Sequence, residues 1–231
     1  MNKLENDFIQ IDKDGTYYYG GNQKWWNSSN ETMAKYGCGV IAICNLEILL
    51  DGKLRDMEND DLLDKRNIIK YSDYISIVNK SYKSKYSFGR RVPFDSLGLL
   101  PRTMKKGIES LFKKYRATCK VKWAPTLRKN KILSYIRCML EDNIPIVASY
   151  YVFTKRNRLD FYIYDDIKKI MIKKDGCRSH YFNITGIVSV EEEKRNVDYF
   201  VISSWGKKYY VSIEYWVAKL SYFTNVLFVK Y

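Results

Sequence analysis

The chain has 231 residues, of which 46% are hydrophobic and 16% aromatic, as expected for a globular protein with a sizeable core. It has no run of about 18 apolar residues that would span a membrane, and its N-terminus lacks the apolar segment of a secretory signal. A cytoplasmic protein is therefore the default expectation, and export is not excluded. Five widely spaced cysteines and one histidine form no zinc-ligand pattern, so the sequence predicts neither a metal nor another cofactor.

The formal net charge of +14 comes from one part of the chain. Residues 80–131 contain sixteen Lys or Arg and only two acids, whereas acids and bases balance in the remainder. Such a block attracts anionic partners, although it is also typical of well-solvated helix surfaces. We therefore keep an anionic partner of segment 80–131 as a hypothesis, with nucleic acid not expected.

The first half of the chain, about 21–142, has mainly helical patterns. The run 39–50 is apolar except for Asn45 and Glu47, which predicts a central buried helix that ends at Asp51-Gly52. The further helices that we predict are 72–80, 101–115 and 127–141.

The second half, about 143–231, has strand composition interrupted by turn residues. We predict a short helix at 215–222 and strands at 144–153, 160–166, 168–174, 180–190, 198–205, 208–213 and 225–231. The strands 180–190 and 198–205 are expected to form a long hairpin. Helices followed by antiparallel strands predict the α+β class, here as a single domain over 1–231.

Cys38 lies between Gly37 and Gly39 at the start of the predicted central helix. A helix N-terminus stabilises a thiolate, so we expect a lowered thiol pKa and a nucleophilic sulfur. The glycines lack Cβ atoms, which would let a substrate carbonyl approach the sulfur and the Cys38 N–H. The alternative is that Cys38 is a small apolar residue of the core.

Three further residues are candidates for the same chemistry. His180, the only histidine, is the candidate general base and acid. Gln23 has an amide that is suited to bind an oxyanion together with the Cys38 N–H. Ser203 or its neighbour Ser204 would accept a hydrogen bond from the imidazole and orient it, and we assign this role to Ser203.

Read in order, the segments GNQKWW, KYGCGVIA, SHYFNITGIV and YFVISSWGKKYYV resemble the papain-like cysteine peptidases. The closer resemblance is to a bacterial subgroup with a G-C-G nucleophile turn, which includes the peptidases that trim double-glycine leader peptides. It implies a papain-like fold, with the nucleophile helix packed on an antiparallel β half, and a peptide or protein substrate. It also implies that Cys38 is the nucleophile, His180 the base and Gln23 the oxyanion residue. The Asn that follows His in this family corresponds here to Ser203.

Two alternatives remain open at this point. The chain is either a peptidase or amide hydrolase, or a catalytically weak or inactive papain-like module that binds an anionic partner through 80–131. The same Cys-His pair also permits acyl transfer, because only the second nucleophile differs from that of hydrolysis.

Overall fold

A computed structural model of the chain describes residues 2–3, 8–56, 67–85, 99–124, 129–152, 158–192, 195–219 and 224–230. Within these ranges the chain forms a mixed fold of α-helices and a large antiparallel sheet. One hydrophobic cluster includes side chains from the helices and from both sheets. No helix of the described ranges is both long and apolar enough to cross a membrane.

The helices are concentrated in the first half of the chain. A 3-10 helix, Gln23–Trp26, precedes α1 Glu31–Tyr36, α2 Cys38–Asp56, α3 Tyr71–Ser84, α4 Pro101–Lys114, α5 Lys129–Glu141 and, much later, α6 Ile213–Ala218. The Asn30 side chain caps α1 by accepting from the Met33 N–H at 3.0 Å. Gly37 alone separates α1 from α2, so the second helix begins at Cys38.

The helix α2 runs past the end that the sequence predicts. Asp51-Gly52 does not stop it, and the helix continues to Asp56. Leu54 lies beyond the glycine and is only 5% exposed, so continuing the helix buries a further apolar side chain. The prediction of a helix end at Asp51-Gly52 is wrong for this reason.

The main sheet contains most of the strands. They are β1 Asn2–Lys3, β5 Lys120–Trp123, β6 Ile146–Tyr151, β7 Leu159–Asp165, β8 Ile170–Cys177, β9 Ser179–Glu192, β10 Arg195–Ser204, β11 Lys207–Ser212 and β12 Val226–Lys230. Their order is β5-β12-β6-β9-β10-β11-β7-β8, and β1 pairs with β9. The predicted long hairpin is confirmed as β9 and β10. The strand β5 joins this sheet although it lies in the half that the sequence predicts as helical.

A second, small sheet lies near the N-terminus. It has the order β3-β2-β4, with β2 Gln10–Lys13, β3 Thr16–Tyr19 and β4 Ile68–Lys70. The turn between β2 and β3 is Asp14-Gly15, and both residues have positive φ, as in a tight two-residue hairpin.

The central helix and the histidine strand are in direct contact. The helix α2 packs across β9, so its first residue, Cys38, is brought to the strand that carries His180. The end of β10 lies beside β9 in the sheet. These three elements position the candidate active site.

Candidate active site

All four candidate residues line one small cavity of about 10 Å³, together with Ser204, Trp205 and residues of α2 and β9. The candidates are Gln23, Cys38, His180 and Ser203. A cavity of this size holds about one water molecule. Residues far apart in the sequence are thus gathered at the junction of α2, β9 and β10.

The Cys38 thiol is neutral at pH 7. Burial raises the pKa of Cys38, and this effect outweighs backbone hydrogen bonds to the sulfur from the N–H groups of Tyr181, Gly39 and Cys38, which lower the pKa. The expected net lowering at the helix N-terminus is therefore wrong, because desolvation dominates. The contact with Tyr181 also places the sulfur against β9, next to His180 in the sequence.

The space beside the Cα atoms of Gly37 and Gly39 is filled by neighbouring side chains, so these glycines do not open a path to the sulfur. A Cβ on Gly37 would lie 2.6 Å from Met33 Sδ. A Cβ on Gly39 would lie 2.9 Å from Leu99 Cβ and 3.1 Å from Met104 Cε. The glycines therefore allow close packing around the helix start, and the expectation that they admit a substrate carbonyl is wrong.

The His180 imidazole is buried and has one nitrogen occupied. Its Nε2 lies 2.7 Å from the Ser204 Oγ. Burial lowers the pKa of His180 to about 3, so the ring is neutral at pH 7. If Nε2 carries the proton and donates to Ser204, then Nδ1 has a free lone pair for a proton from another group.

The hydroxyl that meets the imidazole belongs to Ser204 and not to Ser203, to which the sequence analysis assigned it. Ser203 Oγ donates instead to the Tyr19 carbonyl at 2.7 Å. Neighbouring residues of a strand point to opposite faces, so only one of the two serines can reach the ring of His180. The sequence identified the pair Ser203-Ser204, but it did not show which of the two side chains faces the ring of His180.

Trp205 covers the imidazole from the turn between β10 and β11. Its ring centroid lies 4.6 Å from that of His180, with an interplanar angle of 33°. Trp205 and Gly206 have φ values of 50° and 73°, which is the geometry of a two-residue hairpin turn. A left-handed conformation at a tryptophan costs about 1–2 kcal/mol. The fold tolerates this strain at the position that shields the Ser204–His180 hydrogen bond from water.

Gln23 lies at the cavity with its amide nitrogen already engaged. Its Nε2 donates to the Ala34 carbonyl at 2.9 Å and to the Lys35 carbonyl at 3.2 Å. Both acceptors are in the last turn of α1, where carbonyl groups lack partners within the helix. An oxyanion would have to replace the longer of these two contacts.

No family model matches this chain, and no curated protein matches it either. The site combines a thiol, a neutral imidazole and N–H donors around a cavity that holds about one water molecule. These are the components of nucleophilic acyl chemistry.

The basic segment 80–131 is only partly described, since 86–98 and 125–128 lie outside the described residues. In the described part, Lys85 pairs with Glu47 at 3.2 Å and Lys114 with Asp51 at 3.1 Å. Lys122 instead lies over the rings of Tyr135 and Phe228. Part of the positive charge is thus neutralised within the fold.

The described residues contain no cluster of three or more His, Cys, Asp or Glu side chains that could hold a metal ion. The cysteines of these ranges are free thiols. Cys44 and Cys177 are buried, and burial raises the pKa of each thiol well above its usual range. Cys119 and Cys138 are half-buried, as the Cys38 residue is, and burial also raises the pKa of both thiols, so they are useful reference thiols for Cys38.

Proposed function

We propose that the chain is a papain-like cysteine peptidase or related amide hydrolase that acts through Cys38 and His180. The observation that carries the proposal is the shared cavity, where the sulfur of α2 lies against the strand of His180 while Ser204 occupies the Nε2 atom. That contact directs Nδ1 toward proton transfer. What supports a catalytic role over a structural one is that the thiol and the imidazole line the same cavity.

The resting pair is neutral, and a ring with a pKa of about 3 is a weak base toward a thiol whose pKa is raised. Proton transfer is therefore uphill and takes place only as the sulfur attacks. The Cys38 sulfur attacks the carbonyl carbon while His180 Nδ1 takes the thiol proton, which gives a tetrahedral oxyanion and an imidazolium. The imidazolium then gives its proton to the amide nitrogen as the C–N bond breaks. An amine leaves, and a thioester to Cys38 remains.

The oxyanion is stabilised by N–H groups around the sulfur. The Cys38 N–H lies at the first turn of α2, where backbone donors lack helical acceptors. Gln23 adds a second donor once its amide releases the Lys35 carbonyl. Substrate binding would therefore complete this pair of donors, because in the free protein the Gln23 amide is bound to carbonyls of α1.

Hydrolysis of the thioester restores the starting state. His180 takes a proton from water as its oxygen attacks the thioester carbon, the C–S bond of the tetrahedral intermediate then breaks, and the imidazolium returns the proton to the sulfur as the carboxylic acid leaves. If an amine replaces water, the same steps give acyl transfer. The substrate class is in either case a peptide or protein amide.

Ser204 makes this a modest catalyst. A serine hydroxyl fixes the ring but adds no negative charge, so it does not stabilise the imidazolium as a carboxylate does. A weak peptidase is therefore the expected form of the activity. Binding of an anionic partner through 80–131 remains a separate hypothesis, and its test is a binding constant that falls steeply with added salt.

The test of the proposal is alkylation of Cys38 by iodoacetamide at pH 7, quantified for each cysteine by peptide mass spectrometry. We expect Cys38 to react faster than Cys119 and Cys138 although its thiol pKa is raised, because His180 removes the proton during attack. The variant His180→Gln should lose this advantage, while both reference thiols keep their rates. Equal alkylation rates of Cys38 in the wild type and in His180→Gln would refute the role of His180 as the base for Cys38.

A further inference from the structure

A buried polar chain links the helix of Cys38 to the strand of His180. Tyr74 Oη donates to Asn45 Oδ1 at 2.8 Å, and Asn45 Nδ2 donates to Asn183 Oδ1 at 3.0 Å. Asn183 Nδ2 then donates to the Ala42 carbonyl at 2.9 Å. We call the Asn45–Asn183 contact the amide bridge. It connects α3, α2 and β9 through their interior.

The amide bridge is deeply buried and close to the reactive pair. Asn45 and Asn183 are each 1% exposed, and Tyr74 is fully buried. Asn45 follows Cys38 by seven residues, about two helical turns, and therefore lies on the same face of α2. Asn183 follows His180 by three residues on β9, so the two side chains leave opposite faces of the strand, and that of Asn183 faces α2. Both asparagines line the cavity that contains the thiol and the imidazole.

We propose that Asn45 and Asn183 are positioning residues that fix the register of α2 on β9, and thereby set the Cys38 sulfur against His180. This inference rests on the proposed function. An apolar helix packed on a sheet has many contacts of similar energy, so apolar packing alone selects a register weakly. A pair of amides selects the register strongly, because each buried amide without a hydrogen-bond partner destabilises the fold by about 1–3 kcal/mol.

The amide bridge can form in only one register of α2 on β9. Sliding α2 by one turn moves it about 5.4 Å, which separates both asparagines and removes Ala42 from Asn183. The segment before the 3-10 helix adds a further constraint, since a Cβ on Gly20 would lie 3.0 Å from Asn45 Nδ2. A Cβ on Gly21 would overlap the Tyr74 hydroxyl. The chain that leads to Gln23 therefore packs on the same polar network.

The test compares the wild type with a variant in which the network is replaced by apolar groups, Asn45→Leu/Asn183→Leu/Tyr74→Phe. Replacing all partners together avoids unsatisfied amides, so the variant should keep most of its stability toward urea. The Cys38 alkylation rate should nevertheless fall roughly tenfold to a hundredfold, because the sulfur is no longer held against the base. The rates of Cys119 and Cys138 should not change.

Two controls separate positioning from stability. Ile136→Val, a buried truncation in α5, lowers stability by about 1 kcal/mol and should leave the Cys38 rate within twofold. Tyr74→Phe removes a single hydroxyl and keeps the ring, so it should fold if the larger variant does not. It should slow Cys38 in the same direction by a smaller factor.

A second readout does not depend on reactivity. The backbone of Tyr181 lies near enough to the Cys38 thiol to lower its pKa, so the Tyr181 amide resonance in NMR spectra reports the register of α2 on β9. We expect this resonance to shift in the apolar variant and in Tyr74→Phe. Unchanged resonances and unchanged Cys38 rates in both variants would overturn the positioning role. Failure of the proposed function looks different, because His180→Gln would then leave the wild-type Cys38 rate unaltered while the Tyr181 resonance still responds to the network.

Discussion

Lowering the pH from 7 to 5 should destabilise the fold through His180. Burial lowers the pKa of His180 from 6.5 to about 3, so the folded ring stays neutral while the ring of the unfolded chain becomes protonated below pH 6.5. The unfolded state then binds more protons, and the free energy of unfolding falls as the pH falls. This contribution is fully present above pH 6.5 and is lost progressively down to pH 3.

The magnitude follows from the difference between the two pKa values. A pH of 5 lies about 1.5 units below the pKa of the ring in the unfolded chain. The free energy of unfolding is therefore lower by about 2 kcal/mol than at pH 7. No second histidine contributes, because His180 is the only one in the chain.

The assay is urea unfolding at several pH values between 7 and 5, for the wild type and for His180→Gln. The difference in unfolding free energy between the two proteins should change by about 2 kcal/mol across this range, with the wild type losing more. Whatever the substitution costs at pH 7 cancels in this comparison. Parallel curves, or an NMR titration of the folded His180 ring with a midpoint near 6.5, would refute the argument that burial keeps the base neutral.

Three further predictions concern residues around the imidazole and the helix start. Ser204→Ala should slow Cys38 alkylation by about tenfold because the ring loses the partner that fixes its tautomer, whereas Ser203→Ala should stay within twofold; equal effects would contradict the assignment to Ser204. Trp205→Gly should relieve about 1 kcal/mol of backbone strain but let water reach the ring, so the pKa of His180 should rise toward 6.5 in an NMR titration; an unchanged titration would show that Trp205 is not the shield. Gly39→Ala should lower the free energy of unfolding in urea by about 1–2 kcal/mol, because overpacking against Leu99 outweighs the better helix propensity of alanine. A more stable variant would mean that a methyl group fits beside Leu99.

Elements of both halves could be predicted where their signals are local. The hairpin of β9 and β10 combines strand composition with a charged turn, and α4 begins at Pro101, a residue suited to the first helical position. The small strands β4 and β5 were not predicted, because three or four residues carry too little pattern and their pairing partners are distant in the chain.

The site was predictable in its residue types but not in its energetics. The order of Gln23, Cys38 and His180 predicted a common site, and these three residues line one cavity. Whether Ser203 or Ser204 reaches the ring depends on the strand register, and this is fixed only by pairing with β9. The direction of the Cys38 pKa shift depends on how deeply the folded chain covers the sulfur, which no sequence pattern reports. Asn45 stood out as a polar residue in an apolar helix, but its partner Asn183 had no local signal.

The raised thiol pKa of Cys38 has a consequence for the binding of soft metal ions. These ions bind the thiolate, and a sulfur that holds its proton at rest is a poor ligand for them. An enzyme that keeps a permanent thiolate gains speed but is exposed to such ions. In the proposed mechanism Cys38 gives its proton to His180 only when an electrophile occupies the site, so the resting protein is expected to bind soft metal ions, which need a preformed thiolate, more weakly than an enzyme with a permanent thiolate does.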